Sequence, residues 1–320
     1  MIWLTWRQQR LELMVAAAVL GLVTLVLLKT GLEMASAYQQ TGVGPCISAQ
    51  GKSNCFLVVE AFRNRFSSIV GLANWLNFLP LVFGLLLGAP LVLELEQGTY
   101  RLAWTQSITR TRWIAFKLAF VVAAALLLSV IFTAIMTWWH APWNHLEGRF
   151  VPNAYDFEGV APLAYAVFAV SLGIALGTIF RRTVPAMALS LFGYLALRLG
   201  IENIVRPHFV APLTAVDIHS FRGSLPTQAH GGWIMQSGWS DRFGHSLSDN
   251  YVFQVCDPHL VVGVKSAMTA CFRSHGIFDS IVYQPANRFW LFQGIETAIF
   301  GGVSAALLAL TFVWIKYRVS

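Results

Sequence analysis

The run LAFVVAAALLLSVIFTAIMTWW, residues 118–139, has no charged side chain anywhere along it. A helix rises about 1.5 Å per residue, so roughly 20 apolar residues cross a hydrocarbon core about 30 Å thick. This run is therefore long enough to make lipid its solvent. Outward from it lie similar charge-free stretches at 13–28, within 66–93, and at 159–180 and 183–197. A sixth segment begins near Phe289 and closes with the apolar run 297–315. The whole chain agrees: 56% of its 320 residues are hydrophobic, 12% are charged, and mean hydropathy is +0.60. No stretch alternates with the period of a barrel strand, so helices are what remains to satisfy the backbone in lipid. The expected fold class is all-α, with six transmembrane helices. Ala35-Ser36-Ala37 after the first run resembles a signal-peptidase site. That run exceeds the usual limit of about 15 apolar residues, so it is expected to stay as a span.

Orientation follows from basic residues in short connections. Arg101, Arg110, Arg112 and Lys117 flank the connection between the second and third spans, and Arg181-Arg182 join the fourth and fifth. The connection 139–158 on the opposite side holds only Arg149. Both termini, with Arg7 and Arg10 at one and Lys316 and Arg318 at the other, are expected in the cytoplasm. The formal net charge of +7 reflects this bias plus basic outer loops. It gives no nucleic-acid signature, since no basic patch with interleaved aromatics sits on a soluble domain.

All four cysteines then fall on the oxidising side, Cys46 and Cys55 in the first outer loop, Cys256 and Cys271 in the last. Local disulfides Cys46–Cys55 and Cys256–Cys271 are the natural pairing there; four unpaired thiols are the alternative. The eight histidines also lie outside the spans, without the close spacing of metal ligands, and no metal is expected. Residues 1–10, with Trp3, Trp6, Arg7 and Arg10, have the character of a short amphipathic helix at the inner interface. Residues 206–288 form the largest stretch outside the spans, an expected disulfide-supported extracellular insertion, with short helices over 260–289.

Within the spans, Gly84 with Gly88 and Gly173 with Gly177 are small pairs at helical spacing that let helices approach closely. Pro80 and Pro90 are expected to bend the second span. Charges buried in lipid are the sharper signal, because each costs roughly 2.5–3.5 kcal/mol on insertion scales. Arg198 and Glu296 both fall around 10 Å below the outer surface by helical rise. They are expected to pair across the bundle, with Glu202 as competitor. Several chemistries are missing. Gly51-Lys52-Ser53 mimics a P-loop end, but position 46, where the first glycine belongs, is Cys46. No zinc-protease motif, no serine-hydrolase elbow and no cluster of intramembrane acids and histidines occurs, so a catalytic role is disfavoured.

Three stretches carry a family resemblance: MIWLTWRQQR at 1–10, GAPLVLELEQGTYRLAWTQSITRTRW at 88–113, and YQPANRFWLFQGIE at 283–296. With six spans and internal termini, the chain resembles the membrane subunits of type-two ABC exporters, particularly actinomycete-like forms. The resemblance implies a permease that is not itself an enzyme and holds no cofactor. ATP and magnesium would be bound by two copies of a separate cytoplasmic ATPase, and a second permease copy would complete a homodimer among the lipids of a bacterial cell membrane. It also implies that the connector 94–113 forms a coupling helix through about residues 97–108 that docks on the ATPase. Gly98 would permit the sharp exit from the span, Thr99 would cap the next helix, and Tyr100 and Trp104 would anchor it, with Arg101 between them. Glu94 and Glu96 would meet basic groups on the partner or on the first helix, where Arg7 and Arg10 are available. The runner-up is a membrane sensor or immunity module whose outer subdomain binds a peptide or antibiotic.

Overall fold

The computed structural model describes residues 2–48, 55–101, 109–217, 231–256 and 265–318. Among these, six helical segments are long and apolar enough to cross a membrane: Thr5–Gln40, Cys55–Gln97, Arg110–Glu147, Ala161–Phe180, Thr183–His208 and Ala286–Arg318. The chain divides into two compact units. The first comprises Met1–Pro142, Asp156–Arg206 and Leu291–Ser320, and the second Trp143–Tyr155 with Pro207–Trp290.

The first unit holds the long helices. Helix α1 runs without interruption over Ile2–Gln40. Residues 2–10 are its opening turns, so the separate interfacial helix expected over 1–10 does not form. Nothing between Ile2 and Leu20 breaks a helix, since neither proline nor glycine occurs there. The loop expected between the first two spans is likewise shorter than expected, because helix continues well past the apolar run. After α1 come α2 (Val43–Ser48) and α3 (Cys55–Ala73), tied by a Cys46–Cys55 disulfide. Lys29, Glu33, Glu60 and Arg63 end apolar runs, yet they are adequate helix formers and leave the backbone ladder intact. Gly51-Lys52-Ser53 lies outside the described residues.

A 3-10 turn over Asn74–Phe78 separates α3 from α4 (Leu79–Gln97), with Pro80 in the first turn of α4. Proline is tolerated there because the N–H it lacks would have no helical acceptor. Pro90 is accommodated inside α4. Then follow α5 (Arg110–Glu147), the single turn α6 (Pro152–Tyr155) of the second unit, α7 (Ala161–Phe180), α8 (Thr183–Gly200) and, last in the chain, α11 (Phe289–Arg318).

The core of this unit is the crossing of α4 on α7, where Gly84, Gly88 and Gly177 face the opposite helix within one chain, while Gly173 faces Ser190 of α8. A Cβ on Gly84 would come within 2.9 Å of the backbone of Ala169 and Val170, whereas one on Gly88 would meet Ile174 at an ordinary 3.6 Å. Gly177 gives way to Val92 in the same manner. Without a hydrophobic drive between helices in lipid, close backbone approach and dispersion hold such a crossing.

The second unit departs from the all-α expectation. It contains a four-stranded antiparallel sheet in the order β1-β4-β2-β3, from β1 (Leu213–Asp217), β2 (Trp233–Ser240), β3 (Ser246–Leu247) and β4 (Phe278–Gln284). β2 is interrupted by Ser237-Gly238 and β3 is only two residues long, while β1 and β4, and β4 and β2, pair across long stretches of chain. Helices α9 (Asp249–Val255) and α10 (Lys265–His275) complete the unit, the second falling in the region expected to hold short helices. Trp239, Val252, Cys256, Met268, Phe272 and Ile277 form a small buried core, and a Cys256–Cys271 disulfide joins the two helices. The sequence-based insertion boundaries differ from this unit at both ends: 143–155 joins it, with Phe150 packed on Trp233 and Phe289, and Arg206 belongs to the helical unit.

The turn between β2 and β3 is tied by Asp241, which accepts from the N–H groups of Phe243 (2.8 Å) and His245 (2.9 Å) and pairs with the His245 ring. The His245 hydrogen bond, helped by the two backbone donors, holds the Asp241 carboxyl below its ordinary value.

Two outcomes follow. Gly84→Leu should lower the thermal unfolding midpoint in detergent, reflecting about 1–3 kcal/mol of overpacking, while Gly88→Ala should leave it nearly unchanged. The Asp241 turn should be fully protected above the ordinary aspartate range and lose protection as pH falls through the depressed value, read as amide protection factors at Phe243 and His245.

Candidate functional site

Inside the helical unit, four ionised side chains share one dry space. Arg198 comes from the last turn of α8, Glu296 from α11, and Asp156 from the segment that leads into α7. Arg206 opens a 3-10 turn, Arg206–His208, that follows a π-helical turn at Ile201–Val205. Glu296 is 0% exposed and Arg206 1%.

The contacts interlock. Arg206 donates to both Glu296 oxygens, Nε to Oε2 at 2.9 Å and Nη2 to Oε1 at 2.8 Å, and reaches Asp156 Oδ1 at 2.7 Å. Arg198 Nη2 lies 2.6 Å from the same Asp156 oxygen, while its Nη1 stands 3.4 Å from Glu296 and 3.5 Å from Glu202. The Tyr165 hydroxyl donates to Glu296 at 2.7 Å, and the Arg198 guanidinium lies 4.0 Å from the Tyr165 ring centre. The structure thus brings Arg198, Glu296 and Glu202 together, but the shortest contacts of Arg198 and Glu296 are to Asp156, Arg206 and Tyr165. Sequence reasoning had none of these three. Arg206 follows the last apolar residue of its run and reads as the start of the outer segment, and Asp156 reads as loop. One signal was available: Arg198, Glu202 and Arg206 recur at intervals of four.

The π turn decides whether that spacing works. In a regular α-helix, positions eight apart diverge by roughly 80° around the axis. The wider turn takes up extra residues and rotates Arg206 back towards the face that carries Arg198. Two positive and two negative groups then balance, with half-buried Glu202 at the margin. A network this enclosed offers no open position to a cargo molecule, and guanidinium does not deprotonate, so it suits a clamp between helices better than a proton path. A neighbouring contact has the same effect: the Gln293 side chain of α11 accepts from the N–H groups of Val160 (3.0 Å) and Ala161 (2.8 Å), where α7 begins.

The connector residues are the other candidate group. Glu94 pairs with Lys117 of α5, and Lys117 also donates to Gln8 of α1 at 3.0 Å. Glu96 accepts from the Thr183 N–H at 2.8 Å and from its hydroxyl, at the start of α8. A carboxylate is favoured there by the exposed N–H groups and the helix dipole. Within the chain, then, the two acids meet Lys117 and Thr183, not Arg7 and Arg10; Arg7 lies over the Trp3 ring, 5.4 Å from its centre. Gly98 ends α4 at φ +71°, a left-handed conformation that costs other residues more. Thr99 is exposed, and the acceptor for the next turn is the Gly98 carbonyl, bonded by the Arg101 N–H at 3.2 Å. Tyr100 is only 4% exposed and packs near Trp113, their ring centres 6.5 Å apart, so its ring faces the bundle instead of a docking partner. Arg101 is exposed at the connector, and Trp104 lies outside the described residues. Elsewhere, Cys256, Cys271 and His275 cluster, but both sulfurs belong to the disulfide, leaving one imidazole.

Residues 17–206 match the protein family described as ABC-2 membrane transporter related. The match spans more than half of the chain, and the chain belongs to this family of ABC-2 type permeases. It is a multi-pass membrane protein and a transport subunit rather than an enzyme. The matched region includes the 88–113 stretch and lies outside 1–10 and 283–296. No curated protein and no solved structure matches it.

Replacing Arg206 by Met should cost about 3–5 kcal/mol, because it strands buried carboxylates. Arg206→Met combined with Glu296→Gln should cost clearly less than the sum of the two single changes. Unfolding midpoints in detergent check both.

Proposed function

We propose that this chain is the permease subunit of an ATP-driven ABC exporter, acting as a homodimer with two copies of a separate cytoplasmic ATPase that binds the ATP and magnesium. The observation that carries the reading is the connector after α4. It leaves the span through a left-handed glycine, and just before that exit its two glutamates hold Lys117 of α5 and Thr183 of α8. A push on residues 97–108 would therefore be felt directly by two further helices. ATPase closure would drive such a push, and rigid movement of the spans would open the path between the two permease copies.

On this reading the termini and the connector are cytoplasmic, and the second unit, with its disulfide, is extracellular, in keeping with the basic residues of the short connections. The cargo class implied by the family is amphipathic or lipophilic: a drug, peptide or lipid. Membrane lipids are the remaining partners. A second reading, a sensor or immunity module, draws on the second unit, which has its own sheet and core and is more than a span connector needs.

The test is to co-express the chain with a candidate ATPase encoded beside it and reconstitute the pair in nanodiscs. The two should copurify and hydrolyse ATP, and Trp104→Ala should lower both association and hydrolysis at least tenfold. Undiminished association and rate in that variant would sink the docking assignment, and failure of the wild-type chain to associate would sink the transport complex.

A further inference from the structure

The second unit carries a pocket of about 510 Å³ on one face of its sheet. That size lies within the range that holds small ligands, about 300–1,000 Å³. The strand register explains the space. Thr214, Val282 and Gln236 form one row across β1, β4 and β2, and Val216, Ser280 and Gly238 form the next. Successive residues of a strand point to opposite faces, so both rows share one side. The other side carries Trp239, Ile281 and Tyr283 into apolar cores. The large side chains are thus drawn to the covered face, and glycine and hydroxyl residues floor the open one. The segment 244–249 forms a wall.

The chemistry of the lining is specific. It is rich in hydroxyls, with the Gln236 amide, and among the described residues its only ionisable side chain is Asp249, with no Lys, Arg or His. The Ser280 hydroxyl donates to the Gly238 carbonyl at 3.2 Å, which leaves its lone pairs to accept. Ser240, on the pocket lining, is 2% exposed and its hydroxyl has no hydrogen-bond partner. That oxygen is shielded from solvent, so a ligand's hydrogen-bonding groups meet the Ser280 hydroxyl and the Gln236 amide instead. An anion would meet an uncompensated carboxylate here, and a purely apolar molecule would desolvate the hydroxyls without replacing their hydrogen bonds.

We propose that this pocket binds a small molecule bearing a primary ammonium beside hydroxyl or amide groups. Amino sugars and the amino end of a short peptide share that chemistry. The ammonium pairs with Asp249, and the polar body lies on the floor around Gly238. The inference stands apart from the transport reading, since it concerns binding to the second unit alone.

The full chain in nanodiscs is titrated calorimetrically with glucosamine, with triglycine and with the N-acetylated form of each. At least one amine should bind saturably and at least tenfold more tightly than its acetylated form. Asp249→Asn should weaken that binding at least tenfold, and Gly238→Leu should abolish it. A Cβ at Gly238 meets nothing within 4 Å, so the leucine fills the pocket and leaves the strand undisturbed, which an unchanged unfolding midpoint checks. Binding of glucosamine alone assigns an amino sugar, binding of triglycine alone assigns a peptide end, and binding of both supports recognition of the shared ammonium. The proposal is overturned if neither amine binds saturably, if acetylation makes no difference, or if binding survives Gly238→Leu.

Discussion

Two guanidinium groups and two carboxylates sit together where the surrounding helices exclude water, and each segment that carries one is held by the others. Charge in such a place is tolerated only when it is balanced and hydrogen-bonded. Arg206 meets both requirements by reaching Glu296 with two nitrogens and Asp156 with one of them. Arg198 adds a second cation against Asp156, and Tyr165 supplies a hydroxyl to Glu296. The helix of Arg198, the last long helix and the start of α7 are therefore locked at one level of the bundle. The α4–α7 crossing rests on glycines that let the backbones approach.

At the other end of α4, two more carboxylates bind helices together, Glu94 through Lys117 and Glu96 through Thr183. The same α4 thus joins the connector to α5 and α8, and α8 carries Arg198. Contiguous contacts therefore run from the end of α4 through Thr183 and α8 to Arg198. Tyr100 is buried beside it, packed near Trp113.

The second unit follows different rules. Its core is small, and a sheet of short strands gains from a disulfide that shortens the unfolded chain's freedom. One sheet face is committed to Trp239 and the helices behind it. The other is left polar and concave, an arrangement that a span connector has no need of.

Residue order by itself determined the helical spans, because apolar length against bilayer thickness is a one-dimensional quantity, and the run at 118–139 states it outright. It also singled out Arg198, Glu202 and Glu296, since a charge within an apolar run stands out without any knowledge of neighbours. It was silent on Asp156 and Arg206, which sit at the ends of runs and look like loop residues until a π turn and the approach of α11 enclose them. It read residues 1–10 as a separate helix because composition changes there, while the backbone ladder has no reason to stop. The sheet was hidden for the complementary reason. The central strand β4 pairs with β1 and β2, both dozens of positions away, and such pairing is a property of the folded chain in space.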